Sequence, residues 1–205
     1  WVLGGLFQDD ALAPAWAGHG DWVVAEVDES DGTIDRFVPE VTLAVNLDWD
    51  HPDRYAKLAD LEAAFAALFA RTRGAVFISD ACGLSARIVS RLGDRGGRPT
   101  YSFGRSGDFR GHIAGEKASR LTLSLGGRFS LPEAEVRTQG EFNAVNAIAA
   151  LAVAQHAGAR LDARTLAGFA GVRRRQALLH SSTVRIYEDY AHHPTEIRAL
   201  LTALR

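Results

Sequence analysis

"DWVVAEVDESDGTIDRFVPEVTLAVNL", residues 21–47, holds two valine-rich apolar runs, and the first leads directly into a dense cluster of acids. Short apolar runs of this kind suit strands buried on both faces of a sheet. The pattern predicts strands over 21–27 and 41–47. Between them Glu26, Asp28, Glu29, Asp31 and Asp35 crowd together. Like charges so close need either open water or a cation, so the stretch reads as a solvated loop or as part of a cation site.

Outward from this stretch, strand and helix patterns alternate. Leu58, Leu61, Phe65, Leu68 and Phe69 recur at helical spacing within 55–72, an amphipathic helix. A third strand is expected over 74–80, a helix over 83–93 closed by a glycine, and a fourth strand over 98–104. Such alternation implies a mostly parallel α/β sheet flanked by helices. From about 108 to 138, short runs with Gly and Pro turns predict a small antiparallel sheet. Residues 141–158 read as a long, deeply buried helix and 162–171 as a further helix. A strand over 183–190 and a helix from 192, with Pro194 in its first turn, then open a new βα unit. The fold class is α/β. A domain boundary is expected at about 171, so that 1–171 form one domain and 172–205 the start of a second.

Bulk properties narrow the function. The chain has 205 residues, 47 % of them hydrophobic, enough for a sizeable core. Its net charge of −2 gives no general affinity for nucleic acid or an anionic membrane. Cys82 is the only cysteine, so neither an intrachain disulfide nor a thiolate zinc cluster can form, which suits a reducing, cytoplasmic setting. The apolar run around 147–154 is too short to span a bilayer. The absence of methionine and the opening on "WVLGG" suggest a piece of a longer protein.

Ligands of open α/β sheets gather at the carboxyl ends of strands. Glu26 ends one expected strand, and Asp48, Asp50 and His51 end the next. Carboxylates with an imidazole and no thiolate suit a hard cation such as Mg²⁺ beside phosphates. In "DYAHHPTEI" (189–197), His192 and His193 precede a helix N-terminus, which favours anions. His193 either caps that helix or joins His192 as a donor. Asn143 and Asn146 share the first turn of the long helix, where they either cap it or reach a base or ribose. Arg173, Arg174 and Arg175 are a solvated run or a phosphate contact.

Together "VAEVDESDGTIDRFVP", "AVNLDWDHPDRY", "GEFNAVNAIAALAVA", "GVRRR" and "YEDYAHHPTEI" resemble the Mur ligases, the ATP-dependent amino-acid ligases of bacterial peptidoglycan synthesis. Nearly the whole chain is covered, in family order. The resemblance implies a Mg²⁺ ligand at Glu26 and a second metal position at His51. It implies nucleotide contacts at Asn143, Asn146, Arg174 and Asp189. Tyr190 and His192 match positions facing the nucleotide sugar and the amino acid, and His51, Arg174 and His192 would serve the chemistry. ATP and Mg²⁺ are the implied cofactors, and UDP-N-acetylmuramate and L-alanine the implied substrates, for a monomer or homodimer. A recycling ligase that adds a whole tripeptide to the same sugar, and a non-catalytic binding module, are the alternatives.

The sequence also departs from the family. No Gly-x-x-Gly-Lys-Thr-Thr phosphate loop precedes the acidic stretch, so these residues alone are expected not to ligate. Phe142 stands where the family has histidine, Arg175 and Gln176 where it has an aromatic and its neighbour, and Glu188 in place of an aspartate.

Overall fold

The computed structural model describes residues 1–93, 97–117 and 119–205. They form two compact units: 28–167, and a second built from 1–27 with 168–205.

The larger unit is organised on β2 (Ala75–Ser79), which is buried along its whole length. Its side chains alternate between two cores, as the period-2 geometry of a strand requires. Ala75 and Phe77 enter one core; Val76 and Ile78 enter the other. Only an apolar run can satisfy both faces, so the sequence reads as continuous rather than alternating hydrophobicity.

Parallel neighbours flank β2: β1 (Val41–Ala44) on one side and β3 (Thr100–Gly104) on the other. The connections are α1 (Leu58–Arg71) and α2 (Gly83–Leu92). Phe69 of α1 and Ile88 of α2 pack against Val76 and Ile78. Arg87 and Arg91 of α2 both pair with Glu62 of α1. Buried Thr42 and Thr72 hydroxyls, 2.6 Å apart, satisfy each other beneath the end of α1.

The sheet does not stop at β3. β4 (Phe109–Lys117) pairs parallel to it, and β5 (Arg120–Gly127) and β6 (Glu133–Val136) follow antiparallel, giving the order β1-β2-β3-β4-β5-β6. The antiparallel strands expected after 108 thus extend the parallel sheet. Leu121, Leu123 and Leu125 of β5 point to the same core as Phe77. α3 (Glu141–His156) covers that core with Ala144, Ile148, Leu151 and Ala152. Small alanines let it lie close. At Gly111 of β4 a methyl group would meet Ile148 Cδ1 at 2.8 Å. Burying each large side chain of this core contributes about 1.5–3 kcal/mol.

The smaller unit contains the hairpin β7 (Ala177–Ser181) and β8 (Arg185–Glu188), then α4 (Pro194–Ala203). Its remaining frame is irregular. Phe7 bridges Val172, Gln8 N–H donates to Gly171 O at 2.9 Å, and Trp1 stacks on Trp16.

Two expected elements differ. Residues 21–27 do not form an extended strand. Among the described residues only Val2 bridges this run: Val2 N–H donates to Val24 O, and Glu26 N–H to Val2 O. Val23 and Val24 are 79 % and 69 % exposed, so the apolar run lacks the covering layers that an inner strand needs. Residues 162–171 form turns instead of a helix. Asp162 Oδ1 accepts from Arg164 N–H at 2.8 Å, and Thr165 Oγ1 accepts from Asp162 N–H at 2.9 Å. These local bonds compete with helix formation, and Leu166 is drawn into a bridge with Val136. Among the described residues no helix is long and apolar enough to cross a membrane.

Candidate functional site

In the larger unit the chain on either side of β1 forms one acidic cluster. Asp28 Oδ1 accepts from Ser30 N–H, and Asp31 Oδ1 from Thr33 N–H, both at 2.7 Å. These turns lead into a short 3-10 helix, Thr33–Arg36. The Thr33 side-chain and backbone bonds hold the Asp31 carboxyl below the usual carboxylate range. Arg54 pairs with Asp35 at 2.8 Å, and Arg71 donates to Phe37 O and Ile34 O. Two arginines thus anchor the segment, Arg71 through its carbonyls and Arg54 through the Asp35 carboxylate. At Gly32, φ is 80°, and a methyl group would meet the Arg54 guanidinium at 2.7 Å.

His51 comes to the same place from the far side of β1. Its φ of 54° is left-handed, an uncommon conformation for a non-glycine residue. Its carbonyl accepts from Arg54 N–H and Tyr55 N–H, and its N–H donates to Asp50 Oδ1, which hold the conformation. Tyr55, only 4 % exposed, donates its hydroxyl to Glu29 O at 2.9 Å and so ties the two segments together. The result puts His51 Nε2 3.5 Å from Glu29 Oε1 and 3.9 Å from Asp50 Oδ2. Asp28, Glu29 and His51 each offer a ligand atom within 4.8 Å of the others. Two carboxylates and an imidazole at that spacing fit a hard divalent cation. Glu29 and Asp28 as partners of His51 were not singled out by the sequence reading. The Tyr55 hydroxyl that brings them together lies 26 residues from the carbonyl it binds.

Asn143 and Asn146 lie in the first turns of α3. Asn143 Nδ2 donates to Gln139 O at 2.9 Å, so part of its capacity is spent on the helix entry. Asn146 is exposed. Gly140 occupies the N-cap with no side-chain cap bond, which leaves the electropositive end of α3 open.

The smaller unit holds the remaining expected residues. Glu26 Oε2 accepts from Gly4 N–H at 2.7 Å. Arg174 Nε lies 3.2 Å from Glu188 Oε1, and its guanidinium sits 5.1 Å from the Tyr190 ring centre. Both Asp189 oxygens are engaged by backbone, with Gln176 N–H and Ala191 N–H at 2.7 Å. The Tyr190 and His192 rings meet edge to face at 5.2 Å. His193 caps α4, with its Nδ1 accepting from Thr195 N–H, and Glu196 completes a capping box. The structure therefore brings Arg174, Asp189, Tyr190 and His192 together, and separately brings His51 together with Asp28 and Glu29. Glu26 belongs to the unit that holds Arg174, and His51, Asn143 and Asn146 to the other.

Known proteins resemble this chain along nearly its whole length. Residues 11–154 match the family model of the Mur ligase middle domain. The UDP-N-acetylmuramate–L-alanine ligase of Bdellovibrio bacteriovorus is 32 % identical over 214 residues, covering 100 % of this chain and 46 % of the relative. The enzyme of the same name from Mycolicibacterium gilvum is 36 % identical, covering 92 % and 41 %. Among solved structures, the UDP-N-acetylmuramate-alanine ligase MurC of Thermotoga maritima superposes with a TM-score of 0.76 at 26 % identity, over 99 % of this chain and 46 % of that one. The chain thus spans somewhat less than half the length of these relatives.

Proposed function

The chain belongs to the Mur ligase family, and from that membership we propose that it is part of an ATP-dependent ligase joining L-alanine to UDP-N-acetylmuramate in the cytoplasm. The observation that carries the reading is the likeness to ligases of that name along the whole chain, together with the Asp28, Glu29 and His51 cluster. We take 1–171 as middle domain and 172–205 as the start of the next. The reaction transfers the γ-phosphoryl group of ATP to the muramyl carboxylate, releasing ADP, and the alanine amine then attacks the acyl carbon, releasing phosphate and a proton.

In this reading Asp28, Glu29 and His51 hold Mg²⁺, and Glu26 holds a second. Bound there, Mg²⁺ supplies charge neutralisation for phosphoryl oxygens. Arg174 offers phosphate oxygens planar, always-protonated donors. Asn143 and Asn146 meet the nucleoside at the open end of α3. Tyr190 and His192 orient the sugar and the amino acid, and Asp189 serves the nucleotide side with a carboxylate fixed by the Gln176 and Ala191 N–H groups.

The test is phosphate release from Mg²⁺·ATP by the natural full-length protein that contains these residues, given UDP-N-acetylmuramate with and without L-alanine. Release that needs both substrates supports the reading. Release only with the L-alanyl-γ-D-glutamyl-meso-diaminopimelate tripeptide in place of L-alanine reassigns the protein to recycling. No release with either overturns the catalytic reading.

A further inference from the structure

Arg174 and Gln176 are both left-handed, at φ 59° and 47°, although neither is glycine. Such a backbone is strained in a residue with a side chain and persists only where its surroundings hold it. Those constraints are present. Tyr190 N–H donates to Arg174 O at 2.8 Å, and Gln176 N–H to Asp189 Oδ2 at 2.7 Å. The β7–β8 ladder begins one residue on, with Ala177 opposite Glu188. The strained turn fixes the point from which the Arg174 side chain leaves the backbone.

Two further groups fix the guanidinium. Glu188 Oε1 stands 3.2 Å from its Nε, and its Cζ lies over the Tyr190 ring, 5.1 Å from the centroid, with the Arg175 Cζ 5.7 Å from the same centroid. With a carboxylate at Nε, the two terminal nitrogens serve as the donor edge. That edge forks onto phosphate oxygens in two parallel bonds. The pair is largely exposed, at 60 % for Arg174 and 43 % for Glu188. An exposed ion pair adds little to stability, so its loss should leave the fold intact and alter only how Arg174 is presented.

We infer that Glu188 is a positioning residue for Arg174: it holds the guanidinium against Tyr190 and sets nucleotide affinity without touching the nucleotide. The inference rests on the proposed role of Arg174 toward ATP.

The test is a double-mutant cycle in the full-length protein, with wild type, E188Q, R174A and the pair. Glutamine keeps the shape of Glu188 and removes its charge. The expected result is a rise of about tenfold in KM for ATP with E188Q, with KM for L-alanine and Tm unchanged. R174A should cost more, and adding E188Q to it should cost nothing further, because Glu188 acts only through Arg174. Should R174A fail to fold, R174K replaces it in the cycle. An unchanged KM in E188Q, or additive losses in the pair, would overturn the inference. A fall in KM would make Glu188 a competitor of the phosphate and overturn it equally. A wild type that consumes no ATP would instead remove the ligase reading on which the inference stands.

Discussion

The Gly4 N–H donates to Glu26 Oε2 at 2.7 Å, and a methyl group at Gly4 would stand 3.1 Å from the same oxygen. One glycine therefore both orients the carboxylate and gives it room. If Glu26 binds a cation, Gly4→Ala should raise the Mg²⁺ concentration for half-maximal ATP consumption by about tenfold, the lower range for outer-shell partners. Glu26→Ala should abolish turnover. A Mg²⁺ titration of both variants checks this; an unchanged midpoint in Gly4→Ala removes the need for room beside the carboxylate.

If His51 holds Mg²⁺ as proposed, His51→Ala should lower kcat/KM by about a hundredfold, because the carboxylates of the cluster would then bind the cation without the imidazole. His51→Asn is the informative companion. Asparagine tolerates left-handed backbone better than alanine, so it should recover Tm without recovering activity. Parallel loss and recovery of both would mean that His51 only shapes the loop.

Gly111→Ala tests the approach of α3 to the sheet. The added methyl would meet Ile148 at 2.8 Å and Leu125 Cδ2 at 3.0 Å. Overpacking of this kind costs about 1–3 kcal/mol. Urea denaturation should show a lower midpoint with the slope preserved. Trimming the neighbour as well, in Gly111→Ala with Ile148→Val, should restore part of the loss.

Asp108 gives a pH prediction. The Ser102 N–H at 2.8 Å, opposed by partial burial and aided by the Ser102 hydroxyl at 2.9 Å, holds its carboxyl below the usual range. A depressed carboxyl stabilises the folded state above its unfolded pKa of about 4, and that contribution disappears as pH falls through the lower, folded value. Thermal melts of Asp108→Asn should therefore lie below wild type at pH 7, by about 1 kcal/mol given its exposure. The gap should close toward pH 2. A constant gap would exclude the carboxylate as its source.

Much of this fold is legible in sequence because β2, α1, α2 and α3 are held by periodicity. Val76 and Phe77 must point to opposite cores, and Leu61, Leu68 and Phe69 must share a helix face, whatever lies elsewhere in the chain. The failures arise where distant or very local bonds decide. Residues 21–27 have the composition of a strand, but a strand needs neighbours, and among the described residues only Val2 pairs there. Residues 162–171 have helical apolar spacing, but Asp162 and Thr165 capture the backbone first. At the site, the acids were visible and His51 was visible. That Glu29, through its carbonyl bond to Tyr55, is the acid set against His51 depends on a contact no spacing encodes.

The smaller unit joins chain segments that synthesis separates. Gln8 and Val172 bond across 164 residues. At about 5–20 residues per second, the first segment leaves the ribosome roughly 8–33 s before its partner exists. During that interval Leu6 O and Gln8 N–H lack Arg173 N–H and Gly171 O, their partners in the finished unit. Residues 28–167 are a compact unit by themselves and can fold as they emerge.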